Sequence, residues 1–146
     1  MIVRSRILAV LVATVAAALV TAAPSGAASA HHYTQFESPS RNIGCVLLDG
    51  LARCDIMVRS WSPPARPARC PRIVDFGQGL MVATGGVARF VCAGDTALDP
   101  RGPILAYGQL DVVGALRCTS ARAGVTCRST RTGHGFFLSR QRYSLF

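Results

Sequence analysis

The chain has 146 residues, a formal net charge of +9 and a sequence pI near 10.3. Its sixteen basic residues are all arginine, set against seven acids. That length holds one domain, the six cysteines lack the Cys-x-x-Cys spacing of a zinc site, and a single apolar segment excludes a multi-span membrane protein.

The N-terminal residues read as an export signal. Arg4 and Arg6 form a short positive start, residues 7–23 are an apolar run, Pro24-Ser25-Gly26 breaks it, and Ala28-Ser29-Ala30 supplies small residues for a peptidase. The alternative is an uncleaved anchor, for which the run is about the minimum spanning length. Cleavage after Ala30 is expected, giving residues 31–146 as a single secreted domain that meets the membrane only during export. No cysteine lies near the junction, so no lipid anchor is expected, and Arg4 and Arg6 are not adjacent as the twin-arginine route requires. The mature chain then carries fourteen arginines against seven acids, a charge of +7. All six cysteines fall in it, and an even count in a short exported chain reads as disulfides.

In chain order, Tyr33 and Phe36 are expected to cap one sheet edge. Next comes Cys45-x8-Cys54, with Asp49-Gly50 at its centre as a two-residue hairpin turn. Centring the turn there sets Cys45 directly opposite Cys54. It also places Ile43, Cys45, Leu47, Ala52, Cys54 and Ile56 on one apolar face. Residues 61–71 contain four prolines, which bars helix and central strand and leaves an extended connector. Gly85-Gly86 reads as a second hairpin turn, joining residues 79–84 to 87–92 and pairing Cys92 with Gly79. Residues 94–103 read as a loop, and residues 104–107 and 135–140 as short strands. Cys118-x8-Cys127 repeats the first cysteine spacing. A four-residue loop, Ala121 to Gly124, sets Cys118 opposite Cys127 and Arg117 opposite Arg128. Tyr143 to Phe146 is expected to close or cover the other edge.

The pairings Cys45–Cys54 and Cys118–Cys127 follow from these registers, and Cys70–Cys92 follows by elimination. No helical period appears, so the class is all-β: a small disulfide-stapled sandwich or barrel built from hairpins. The two matching hairpins hint at an internal repeat.

Several stretches carry a resemblance: Phe36-x-Ser38-Pro39-Ser40-x-Asn42-Ile43-x-Cys45, Arg53-Cys54-Asp55-Ile56, Trp61-x-Pro63-Pro64-x-x-Pro67, Phe90-Val91-Cys92-x-x-Asp95-Thr96 and Gly133-His134-Gly135-Phe136-x-Leu138-Ser139-Arg140. Together they resemble a family of small exported actinobacterial proteins of unknown function. The resemblance implies export and the cysteine framework; it implies no activity, cofactor or catalytic residue.

The leading candidate site is an arginine patch. Arg117 and Arg128 face each other on the side away from the cysteines, beside Thr119 and Thr126, with Arg122 at the loop tip and Arg131 just beyond. Like charges so placed repel, and a phosphate or carboxylate between them would relieve the repulsion. The competing reading is a solvated face on which the side chains splay apart or pair with an Asp. The expected partner is an anionic envelope polymer or a protein; the compartment argues against nucleic acid, and a monomer without cofactor is expected.

Other readings are an extracellular hydrolase using His134 with Asp95 and Ser139, an inhibitor presenting the proline-rich segment, and copper held by the mature N-terminal amine and imidazole of His31, which His32 follows, with a further nitrogen from His134. Ser139 sits in no nucleophile-elbow sequence, so a non-catalytic domain is preferred. Trp61, the sole tryptophan, is expected to pack on the core rather than to stack on a ligand.

Overall fold

A computed structural model describes residues 33–146. The expected signal, residues 1–30, and the candidate copper ligand His31 lie outside the described residues. In chain order the strands are β1 (Tyr33–Glu37), β2 (Ile43–Leu48), β3 (Leu51–Ile56), β4 (Asp75–Ala83), β5 (Arg89–Ala93), β6 (Leu110–Val113), β7 (Leu116–Ala121), β8 (Gly124–Ser129), β9 (Gly135–Leu138) and β10 (Tyr143–Leu145). They form two five-stranded antiparallel sheets, ordered β1-β2-β3-β4-β5 and β10-β9-β8-β7-β6. Spatial neighbours are sequence neighbours throughout, so both sheets are simple meanders joined face to face, and the expected edge segments become the edge strands β1 and β10.

The two cysteine hairpins form for the reasons their sequences suggest. Gly50 takes φ 99°, which its missing Cβ permits, and β2 and β3 pair from Leu48↔Leu51 to Ile43↔Ile56. Cys45 therefore faces Cys54 and bonds to it, with Cα atoms 4.0 Å apart. In β7–β8, Cys118 faces Cys127 and bonds to it, with Cα atoms 4.1 Å apart. Here the turn is tighter than expected. Ala121 pairs with Gly124, so only Arg122 and Ala123 turn the chain, while the register is the expected one.

The inner faces of these hairpins make the core. Leu47, Ala52, Leu80, Val82, Leu116, Phe136 and Leu138 are fully buried between the sheets. The two hairpin disulfides meet at its centre, where Cys54 Sγ lies 3.5 Å from Cys127 Sγ. Each hairpin supplies the second and third strands, in chain order, of its own sheet. The contact thus joins equivalent residues of two similar halves, the kind of contact made across a two-fold axis.

The second hairpin departs from expectation. Cys92 faces Phe76, not Gly79; Phe90 faces Leu80 and Arg89 faces Met81, with the register shifting between Phe76 and Leu80. The physical reason is Arg89. A two-residue Gly85-Gly86 turn would set it opposite Val82, which is fully buried, whereas a one-residue slip turns it outward. The chain accordingly turns over residues 84–88. The third disulfide still joins Cys70 to Cys92, with Cα atoms 5.8 Å apart, and ties the proline-rich connector to β5.

Residues 104–107 are not a strand; Ile104 makes only an isolated parallel bridge to Glu37. The strand in this region is β6, which pairs with β7. It escaped the sequence reading because Leu110 and Val112 are apolar yet point outward, which hides its alternation. The strand expected over residues 135–140 stops at Leu138.

Part of the outer face of the first sheet, over β1 and β3, is covered by the loop of residues 94–103. Buried Arg53 donates from Nε and Nη2 to the Asp55 carboxylate (3.0 and 2.7 Å) and from Nη1 to Asp95 Oδ1 at 2.6 Å. Ala97 N–H donates to Asp55 Oδ2 at 2.9 Å, and Asp99 N–H to Glu37 Oε1 at 2.6 Å. Buried side chains of β1 and β3 thus hold the loop down by its backbone.

Two carboxyls in this cover respond oppositely to pH. The hydrogen bond and charge of Arg53 hold the Asp95 carboxyl below its ordinary 3.8. Its stabilising contribution is therefore full above that value and is lost as pH falls through the lower folded value. Burial raises the Glu37 carboxyl above its ordinary 4.5, against the opposing Asp99 N–H bond and the charge of Arg41. Its contribution is full below that value and declines as pH rises through the folded value. Glu37→Gln keeps an acceptor for Asp99 N–H but has no charge to bury. Urea midpoints from pH 4 to 7 should therefore fall in the native protein and stay flatter in E37Q; parallel slopes would rule out Glu37 as the source.

Candidate functional site

No loop like that of residues 94–103 covers the β7–β8 hairpin among the described residues, and the arginine pair stands on its open outer face. Arg117 and Arg128 are direct cross-strand partners in β7 and β8, so their side chains leave the sheet about 5 Å apart. Thr119 and Thr126 pair two residues further along, about 7 Å up the strands. With Leu110 of β6 these four residues line a shallow cleft of about 200 Å³. Gly135 lies beside Arg128 in the neighbouring strand, where a side chain would run into the Arg128 stem and the Cys127 carbonyl, so its absence gives the arginine room.

The charges in this cleft are unbalanced by protein. Among the described residues the ion pairs are those Arg53 makes with Asp55 and Asp95, on the other sheet. Asp111, the nearest acid on β6, faces inward opposite Cys118 and accepts a hydrogen bond from Thr34 Oγ1 at 2.8 Å. Two guanidinium forks with two hydroxyls can together donate to the oxygens of one phosphate, sulfate or carboxylate group.

The remaining candidates do not all converge on it. Arg131 follows β8 at the Arg128 end and is exposed. Arg122 sits at the opposite end of the hairpin, its guanidinium 5.1 Å from the Tyr107 ring centroid, so it belongs to a different surface. His134 precedes β9, with Nδ1 3.2 Å from the Phe146 carbonyl. Asp95 is engaged by Arg53, and Ser139 Oγ donates to the Arg142 carbonyl at 2.9 Å. The structure therefore does not join His134, Asp95 and Ser139 into a hydrogen-bonded set. Trp61 packs beside Phe90 and Tyr143, with ring centroids at 6.2 and 4.8 Å, and its Nε1–H donates to the Ser139 carbonyl at 2.8 Å. It serves the core edge, as expected.

Comparison with known proteins adds one finding. A family model described as a family of unknown function, DUF6636, matches residues 9–146. The chain belongs to DUF6636. No curated protein and no solved structure matches it. Membership in DUF6636 agrees with the resemblance in its central point, a family without an assigned activity. The three disulfides of this DUF6636 member suit an oxidising compartment.

The sequence reading missed two members of the outer face. Phe137 of β9 pairs with Thr126, and the Arg142 guanidinium lies over its ring at 4.6 Å. This third arginine extends the basic face away from the β7–β8 hairpin. A signal existed: Phe137 stands between Phe136 and Leu138, both core residues, so alternation alone turns it outward.

Proposed function

We propose that this DUF6636 protein is an exported, non-catalytic domain that holds an anionic polymer or acidic protein of the cell envelope through Arg117 and Arg128. The observation that carries the reading is the facing arginine pair, set in a cleft with two threonines and without a carboxylate, on an open sheet face. Like charges fixed opposite one another destabilise a sheet by a few tenths of a kcal/mol or more. A bound anion converts that repulsion into charge-assisted hydrogen bonds. Export rests on the signal-like start and on the three disulfides. Arg131 and Arg142 add attraction at longer range, and that part of the binding weakens as salt rises.

The test is retention of the mature protein on immobilised polyphosphate across a salt gradient. Arg117→Gln with Arg128→Gln should weaken binding about a hundred-fold or more and lower the eluting salt, since each lost charged hydrogen bond is worth about 1.5 kcal/mol or more. The same variant should be slightly more stable than the native protein, because the repulsion is gone. Arg122→Gln, on the other surface, should have a smaller effect. Equal retention of the native and double-variant proteins would sink the proposal.

A further inference from the structure

A second cleft, of about 470 Å³, lies on another part of the molecule, beside β5 and β10. One wall is the proline-rich connector, with Pro64, Ala65 and Pro67; the rest includes Phe76 of β4, Phe90 of β5 and Leu145 of β10. Arg69 and Arg89 also line it. The volume falls within the roughly 300–1,000 Å³ of small-molecule sites.

The wall is held in place rather than loosely draped. Cys70 is bonded to Cys92, which fastens the connector to β5. Arg66 donates to the Pro71 and Val74 carbonyls, both at 2.8 Å, and lies 5.7 Å from the Phe76 ring centroid. Its charge is thus spent on folding the connector back. Arg69 and Arg89 differ: both are exposed, neither makes an ion pair among the described residues, and no acid lines the cleft.

The geometry points to a binding site for a single-chain anionic amphiphile, an acyl tail with a carboxylate or phosphate head. The tail lies among Pro64, Pro67, Phe76, Phe90 and Leu145, and the head meets Arg69 and Arg89. Hydrocarbon needs no hydrogen-bond partner, and this wall offers few, since Pro64 and Pro67 have no N–H. The same lack disfavours an extended peptide, which must pair its own backbone. Two arginines at an otherwise apolar cleft supply the charge complement of the head. A disulfide-anchored wall lowers the ordering cost of binding. This site is independent of the Arg117–Arg128 pair, so either proposal can fail alone.

Trp61 provides the readout, because it is the sole tryptophan and its ring centroid lies 6.2 Å from that of Phe90 in the cleft lining. The mature protein is titrated below the micelle threshold with dodecanoate, dodecyl phosphate and dodecanol. Saturable changes in Trp61 emission are expected for both anions, with dodecanol at least ten-fold weaker. Arg69→Gln with Arg89→Gln should bring the anions to the level of dodecanol without lowering thermal stability. Whether dodecanoate or dodecyl phosphate binds more tightly separates a fatty acid from a phospholipid-type ligand. Arg117→Gln with Arg128→Gln should leave all three titrations unchanged. Absence of saturation, equal affinity for dodecanol and the anions, or displacement by an acidic peptide but not by dodecanoate would overturn the assignment.

Discussion

Replacing Asp55 by alanine should remove about 3–5 kcal/mol of folding stability, the usual cost of breaking one side of a buried ion pair. Asp55 is 1% exposed and Arg53 8%. The carboxylate accepts two bonds from Arg53 and one from Ala97 N–H. Without it, the buried guanidinium keeps the Asp95 carbonyl, which accepts from Nη2 at 2.6 Å, and the Asp95 side chain, which is 79% exposed and balances the charge weakly in water, while Nε has no partner. The loop of residues 94–103 also loses an anchor at Ala97, so amide exchange there should rise towards that of an unpinned loop. Since small domains are stable by only about 5–15 kcal/mol, the loss should shift the urea midpoint strongly with little change in slope. Arg53→Met combined with Asp55→Ala should recover much of the loss, because an apolar replacement leaves no buried charge. A single variant within about 1 kcal/mol of the native protein would mean that Asp95 alone satisfies Arg53.

The hairpin disulfide Cys45–Cys54 should matter more than the connector disulfide Cys70–Cys92, against the order that loop length predicts. The bonded residues are 9 apart in the hairpin and 22 apart in the connector. Chain entropy alone makes these worth about 2.6 and 3.4 kcal/mol. Burial reverses the ranking. Cys45 and Cys54 are 0% exposed and lie against the second hairpin disulfide, so Cys45→Ala with Cys54→Ala also opens a void at the core centre. A void there costs about 1 kcal/mol for each removed group, for a total near 4–5 kcal/mol. Cys92 lies at the surface, and Cys70, though 3% exposed, stands outside the core cluster and borders the open cleft, where water can fill the space its sulfur leaves. Cys70→Ala with Cys92→Ala should therefore cost about 3 kcal/mol. Denaturant unfolding of both double variants measures the order. The reverse order would show that the core closes around the missing sulfurs.

Both cysteine hairpins were legible in the sequence because each is local. A turn and a period-2 pattern within fourteen residues settle the β2–β3 register, and with it the faces of Cys45 and Cys54. The β4–β5 pairing was not legible in the same way. Gly85-Gly86 permits two registers one residue apart, and the choice depends on whether Arg89 meets solvent or the packed core beside Val82. That core does not exist until the second sheet is in place. The arginine site divides along the same line. Arg117 opposite Arg128 is a property of one hairpin, whereas the stacking of Arg142 on Phe137 and the isolation of Arg122 beside Tyr107 depend on strands and loops outside it.

By itself, then, the sequence determined the all-β class, the hairpin registers that pair four cysteines, and the facing arginines, since these need only turn chemistry and alternation. Tertiary structure alone decided which parts of the outer sheet faces are covered and which are free. Arg53 and Asp55 stand close together in the chain, but the loop they hold down begins about forty residues later. No local pattern announces that contact: it forms only once β4 and β5 have carried the chain back across the sheet. The β1–β3 part of the first sheet is thereby covered, and the Arg117–Arg128 face of the second stays open to a partner.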